Sequence, residues 1–272
     1  MRMRNRAVVL LLLLSAACGG GGGGGTSGTP SSPSPVPTIP ISSACTALGQ
    51  TVSASTAIVN GAECSTANSP VVLLNMKDSS GTQAGSCSGM VIAPRAILTA
   101  AHCLPAATAS IKVFLGTGPE LVAQSFAAFP TYKEGDGSTR DVGVVLMSQD
   151  IGRTPVPLLL SRDARVGENA ILAGWGKDQT GLTSTLRAGV AAITAVTSLT
   201  LQTTFSTNFS SVCQGDSGGP ILLSDGGVWA IGGVISANST LFCSFGDNFY
   251  ANIRNPDIMA FVLGRVPDAS RR

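Results

Sequence analysis

Cys213-Gln214-Gly215-Asp216-Ser217-Gly218-Gly219-Pro220 is the stretch on which the reading of this chain turns. A Ser among glycines can sit on a sharp turn with its hydroxyl exposed, and that hydroxyl becomes a nucleophile only with a base beside it, most often a His. Taken alone, the Gly-x-Ser-x-Gly around Ser217 fits a glycine-rich turn as readily as a catalytic one. The chain has one histidine, His102, so the order of the partners can be tested directly. No His follows Ser217, which excludes the order Ser, acid, His. An acid ahead of His102 would have to be Asp78, in a polar turn. The natural order is therefore His, Asp, Ser. Between His102 and Ser217, Asp141 leads straight into Val142-Gly143-Val144-Val145-Leu146, so its carboxylate can be held at the edge of a buried strand. Asp136, Asp150, Asp163 and Asp178 lie in polar or turn-like surroundings. A lone His is ordinarily a satisfied core residue, but the frame Leu98-Thr99-Ala100-Ala101-His102-Cys103 favours a catalytic one.

The rest of the chain fits a β-rich domain. With 272 residues, 44% of them hydrophobic, it can bury the core of one large domain or two fused halves. Only 12% are charged, and 33 Gly and 15 Pro favour short strands and turns over coiled coils or helical repeats. Apolar runs at Val71-Val72-Leu73-Leu74, Met90-Val91-Ile92 and Val142 to Met147, set between Gly, Pro, Asp and Ser, read as the strands of a barrel or sandwich. Asn255-Pro256-Asp257 followed by Ile258, Phe261, Val262 and Arg265 predicts one short C-terminal helix. Seventeen basic side chains face fifteen acidic ones, or fourteen without Arg2, Arg4 and Arg6. That balance lacks the basic footprint of a nucleic-acid binder.

Arg2, Arg4 and Arg6, the apolar run Ala7 to Leu14, and Ser15-Ala16-Ala17-Cys18 follow the order of a secretory signal, too short to span a bilayer. Small residues before Cys18 resemble the lipobox of bacterial lipoproteins, in which the sulfur takes a diacylglycerol; Ser15 stands where Leu is usual. An ordinary signal peptide with an incidental Cys is the alternative. Seven Cys less Cys18 leaves an even six for disulfides in an oxidising compartment. Gly19 to Gly25 and the Ser, Thr and Pro beyond them read as a linker, which over 26 residues reaches about 25–30 Å. The expected organisation is a signal peptide over 1–17, a lipidated Gly/Ser/Pro-rich linker and activation segment over 18–57, and a catalytic domain over 58–272.

Thr99-Ala100-Ala101-His102-Cys103, Asp141-Val142-Gly143-Val144-Val145-Leu146 and Gly215-Asp216-Ser217-Gly218-Gly219-Pro220 resemble the three catalytic blocks of the trypsin/chymotrypsin-like serine peptidases. Ile58-Val59-Asn60-Gly61 resembles the N-terminus released on zymogen activation, and Ala173-Gly174-Trp175-Gly176 the strand that opens the second barrel. The resemblance implies an all-β fold of two packed six-stranded antiparallel β-barrels with the site between them. It implies His102, Asp141 and Ser217 as the triad, and the backbone N–H groups of Gly215 and Ser217 as the oxyanion hole. Cleavage between Ala57 and Ile58 would free an ammonium to pair with Asp216. Ala57 stands where many relatives have Arg or Lys, so an activator preferring small residues is expected.

The resemblance also implies disulfides Cys87–Cys103, beside the His block, and Cys213–Cys243, bracing the specificity pocket. Cys45 and Cys64 are then left to pair, although six Cys alone allow 15 connectivities. A Cys45–Cys64 bond would keep the cut enzyme tethered to its anchor. The pocket base falls at Ser211, with walls at Ser236-Ala237-Asn238 and Asn248, an uncharged and narrowed site for small or medium side chains. The register of the loop from Ser236 to Cys243 is open, and another register would place different residues there. No cofactor is expected, and one His with no Cys-x-x-Cys and no Asp-rich loop gives metal binding little support. Expected partners are protein or peptide substrates, an activating protease, and a membrane through the lipid anchor only, with the chain a monomer exported to a bacterial cell envelope. A catalytically silent binding or adhesion module on the same fold is the competing reading.

Overall fold

A computed structural model describes residues 39–57, 59–133, 140–178, 180–181, 185–240 and 242–272. The leader, Cys18, the linker to residue 38, Ile58 and Asp136 lie outside the described residues. In chain order the elements are α1 (Ser42–Ala47), β1 (Val52–Ala57), β2 (Gly61–Cys64), β3 (Val71–Lys77), β4 (Gln83–Ala93) and β5 (Ala96–Thr99). A 3-10 turn at Ala101–Cys103 follows, then β6 (Ser110–Phe114), β7 (Leu121–Ala128), β8 (Gly143–Met147), β9 (Asn169–Gly174) and β10 (Arg187–Val196). The chain ends with β11 (Thr200–Thr204), β12 (Pro220–Asp225), β13 (Val228–Asn238), β14 (Asp247–Asn252) and α2 (Pro256–Arg265).

The expected two antiparallel barrels are present. The first closes in the order β3-β4-β5-β8-β7-β6. The second runs β10-β11-β14-β13-β12-β9 and closes through β9 on β10, with β2 and then β1 added outside β10. In β3, Val71, Val72, Leu74 and Met76 are buried while Leu73, Asn75 and Lys77 are partly exposed, the alternation a one-sided barrel wall requires. The last seven residues of β4, Cys87 to Ala93, are all buried. Ser88 stitches the barrels together: its N–H donates to Ser217 O at 2.8 Å, its Oγ donates to Gly215 O at 2.8 Å, and it accepts the Trp175 N–H at 2.9 Å. The Trp175 indole adds an edge-to-face contact with Phe114 and donates to Val71 O.

The helix α2 forms as the sequence predicts, with Asn255 accepting the N–H groups of Asp257 and Ile258 and Pro256 at its first turn. Residues 42–57 differ from a bare linker. Ala44, Cys45 and Leu48 are buried, and Cys45 is bonded to Cys64 of β2. An apolar cluster plus a covalent staple is enough to order a six-residue helix that would not persist alone. No helix among the described residues is long and apolar enough to cross a membrane.

Candidate active site

The first barrel supplies a base and an acid. His102 sits in the 3-10 turn after β5, and Asp141 stands two residues before β8, which pairs with β5. Neighbouring strands thus deliver residues 39 apart in sequence to one point. Asp141 is buried; its Oδ2 lies 2.6 Å from His102 Nδ1, and its Oδ1 accepts the His102 backbone N–H at 2.9 Å. Ser236 Oγ of the second barrel donates to the same Oδ2 at 2.7 Å. A carboxylate fixed by three donors holds the ring with Nδ1 toward it, leaving Nε2 for proton transfer. The His102 side chain is 23% exposed, enough to meet a substrate.

The second barrel supplies the loop that carries Ser217. Gly218 has φ +81° and lies so close to Thr99 and Ala100 that a Cβ would be 2.1 Å from Thr99 Oγ1. Glycine therefore brings the Ser217 loop against the residues that lead into His102. Gly215 has φ +97°, and a Cβ there would meet Gly176 Cα at 2.9 Å. The Gln214 carbonyl accepts the Lys177 N–H at 2.9 Å, which fixes the peptide plane bearing the Gly215 N–H. Asp216 is fully buried, accepting the Cys213 N–H at 2.8 Å and the Gly176 N–H at 2.9 Å. Burial pushes its carboxyl up to about 6, against the pull of those two N–H groups and of the Arg187 charge.

Beside Ser217 is a cavity of about 210 Å³ lined by Val212, Gln214, Ile235, Ser236, Asn238 and Thr240, together with the Cys213–Cys243 disulfide. Ser211 and Asn248 are not in its lining. Both are buried below it, where Ser211 Oγ donates to Asn248 Oδ1 at 3.0 Å and Asn238 Nδ2 to the same oxygen at 2.9 Å. Asn248 Nδ2 in turn donates to Thr203 Oγ1, which is 2.8 Å from the Tyr250 hydroxyl. This closed amide and hydroxyl network makes Asn238 the floor of the cavity.

Three residues escaped the sequence reading in part or whole. Ser236 touches the acid as well as the cavity. Ser88 ties the Ser217 loop to the other barrel. Arg187, 1% exposed, donates to Gly176 O at 2.8 Å and pairs with Asp178 at 3.3 Å and Glu63 at 3.7 Å. A fully buried Arg is rare unless paired, but from sequence it is one basic residue in an apolar strand. Asp178, read as a turn residue, is its buried partner. The disulfides are Cys45–Cys64, Cys87–Cys103 and Cys213–Cys243. Cys87, His102 and Cys103 cluster within ligand distance, but both sulfurs are spent in a disulfide and offer no thiolate to a metal.

A family model described as Trypsin matches residues 58–255. Phenoloxidase-activating factor 3 of Holotrichia diomphalia is 25% identical over 193 residues, covering 56% of this chain and 55% of its own length. The match thus spans about half of that relative. The solved structure of HL collagenase superposes with a TM-score of 0.66 at 21% identity, covering 77% of this chain and 99% of the collagenase. That likeness is one of fold.

Proposed function

Because this chain belongs to the trypsin family of serine peptidases, we propose that it is a secreted serine endopeptidase that cleaves peptide bonds through an acyl-enzyme on Ser217. The observation that carries this is the buried Asp141 gripping both the ring and the backbone of His102, with the Ser217 loop packed against the residues just before that His. In this reading Ser217 attacks the peptide carbonyl while His102 takes its proton and later returns it to the leaving amine. Asp141 keeps Nδ1 protonated and stabilises the imidazolium. The N–H groups of Gly215 and Ser217 receive the oxyanion, each contributing about 2.7–4 kcal/mol to the barrier reduction.

Among the described residues, none that lines the cavity beside Ser217 carries a charge to meet Arg or Lys, and its floor is an amide. Small, uncharged side chains before the cleaved bond fit it best. We assign the bond between Ala57 and Ile58 as the activation site, cut by another protease, and the Cys45–Cys64 disulfide as the link that keeps the cut domain attached to residues before it. Three disulfides suit an exported protein. With Cys18 lipidated after removal of 1–17, residues 18–57 would tether a monomeric peptidase of 58–272 to a bacterial envelope membrane.

Fluorophosphonate labelling of a soluble form beginning at Thr26, before and after cleavage at Ala57–Ile58, tests the reading, with Ser217→Ala as control. Labelling that the control abolishes supports it. Folded, correctly cut protein that does not label identifies a catalytically silent binding module instead.

A further inference from the structure

The guanidinium of Arg187 stands at the head of a line of peptide groups that ends on the oxyanion hole. Its Nη1 donates to the Gly176 carbonyl at 2.8 Å. The N–H of that same peptide unit belongs to Lys177, and it donates to the Gln214 carbonyl at 2.9 Å. The N–H of the Gln214 unit belongs to Gly215. A trans peptide points its C=O and N–H in opposite directions, so holding the Gln214 carbonyl on Lys177 turns the Gly215 N–H away from Lys177. A cation at one end of such a line polarises each unit in the same sense. Gly176 is held on its other side as well, its N–H donating to Oδ1 of the buried Asp216 at 2.9 Å.

These contacts exist in a chain whose Ala57–Ile58 bond is intact. The segment that leads from that bond into β2 is also already docked: Val59 O accepts the Ser211 N–H at 3.1 Å, and Asn60 O accepts Ser210 Oγ at 2.8 Å. β2 carries Glu63, which faces Arg187 in the β2–β10 register and competes for its guanidinium with Asp178.

We propose that Arg187 is a positioning residue for the oxyanion hole, orienting the Gly215 N–H through the 176–177 and 214–215 peptide groups, so that the uncut chain already has basal hydrolytic activity. Cleavage then strengthens a hole already formed rather than creating it. The inference rests on Ser217 being the nucleophile.

The test uses the full chain with Ser53–Ala57 replaced by Asp-Asp-Asp-Asp-Lys, so that enteropeptidase cuts before Ile58 on demand. Fluorophosphonate labelling rates are measured uncut and cut for this parent and for Arg187→Gln, Arg187→Lys and Glu63→Gln, with circular dichroism as the check on folding. The uncut parent is expected to label measurably. Arg187→Gln should slow the uncut form by about 10- to 100-fold, the loss of one charged hydrogen bond, and recover most of its rate on cutting. Arg187→Lys should keep most of the uncut rate. Glu63→Gln, a partly exposed site that does not threaten folding, should raise the uncut rate severalfold. An uncut parent that does not label while the cut parent does overturns this inference alone. So does Arg187→Gln slowing cut and uncut forms equally, or Glu63→Gln leaving the uncut rate unchanged or lower. Labelling in neither form of the parent overturns the catalytic reading and this inference with it.

Discussion

Asn238 donates its side-chain amide to Asn248 Oδ1 at 2.9 Å, and the two are direct cross-strand partners in the β13–β14 register. The bridge seals Ser211 beneath it and shortens the cavity beside Ser217. Peptides with Ala, Ser or Val before the cleaved bond should therefore outperform those with Phe, Leu, Lys or Arg. Asn238→Gly removes the floor, and the ratio of Phe to Ala turnover should rise about tenfold or more, the scale on which pocket volume discriminates. Comparing kcat/KM on matched peptide anilides measures this. Equal use of Phe and Ala by the unaltered enzyme would show that the floor does not govern selection.

Ser236 binds the oxygen of Asp141 that also faces His102 Nδ1. Ser236→Ala leaves that buried carboxylate one donor short, so the imidazolium is held less well in the transition state. The expected result is a kcat about tenfold lower with KM little changed, as for a lost hydrogen bond to a charged group. A rise in KM alone would assign Ser236 to substrate binding only.

Asp216 carries a pH signature. Its folded carboxyl is raised to about 6 from an ordinary 3.8, so between those values the folded protein binds a proton that the unfolded chain has released. Its contribution to stability is therefore full below about pH 4 and lost as pH rises through 6. In the uncut chain, the stability of the Ser217→Ala protein minus that of Ser217→Ala/Asp216→Asn should fall by about 2 kcal/mol from pH 4 to pH 7. Urea unfolding at several pH values reads the difference. A constant difference would mean that the buried carboxyl is not raised.

The Cys45–Cys64 bond closes a loop with a sequence separation of 19 across the proposed cut. After complete cleavage at Ala57–Ile58, the two pieces should migrate together without reductant and separate with it. The double variant Cys45→Ser/Cys64→Ser should release the catalytic piece and lose about 3 kcal/mol of stability before cutting. Co-migration of the cut pieces of that variant on a denaturing gel would disprove the tether.

Much of this was legible in the residues. The apolar runs at Val71, Met90 and Val142 became strands of the first barrel because a short apolar run bounded by turn residues is a local pattern, alternating in the first and continuously buried through most of the other two. The Asn255-Pro256 start of α2 was equally readable, since capping needs only neighbours in sequence. The order of one His, one strand-edge Asp and one glycine-flanked Ser drew attention to the residues that the fold brings to the barrel seam. The segment 42–57 was less legible, because Ser42-Ser43-Ala44-Cys45 reads as a continuation of the linker until Cys45 is known to meet Cys64.

The sequence by itself determined which chemical groups are present and in what order: a single imidazole, a serine flanked by glycines, six cysteines after Cys18 and short apolar runs bounded by turn residues. Tertiary structure alone decided what those groups touch. Arg187 reaches the Gln214-Gly215 loop through Gly176 and Lys177, Ser88 reaches Gly215 across 127 residues, and Asn238 meets Asn248 only because β13 and β14 pair in that register. Local patterns are written in successive residues, whereas a side chain's partners depend on strand register and barrel closure, which bring together residues far apart along the chain.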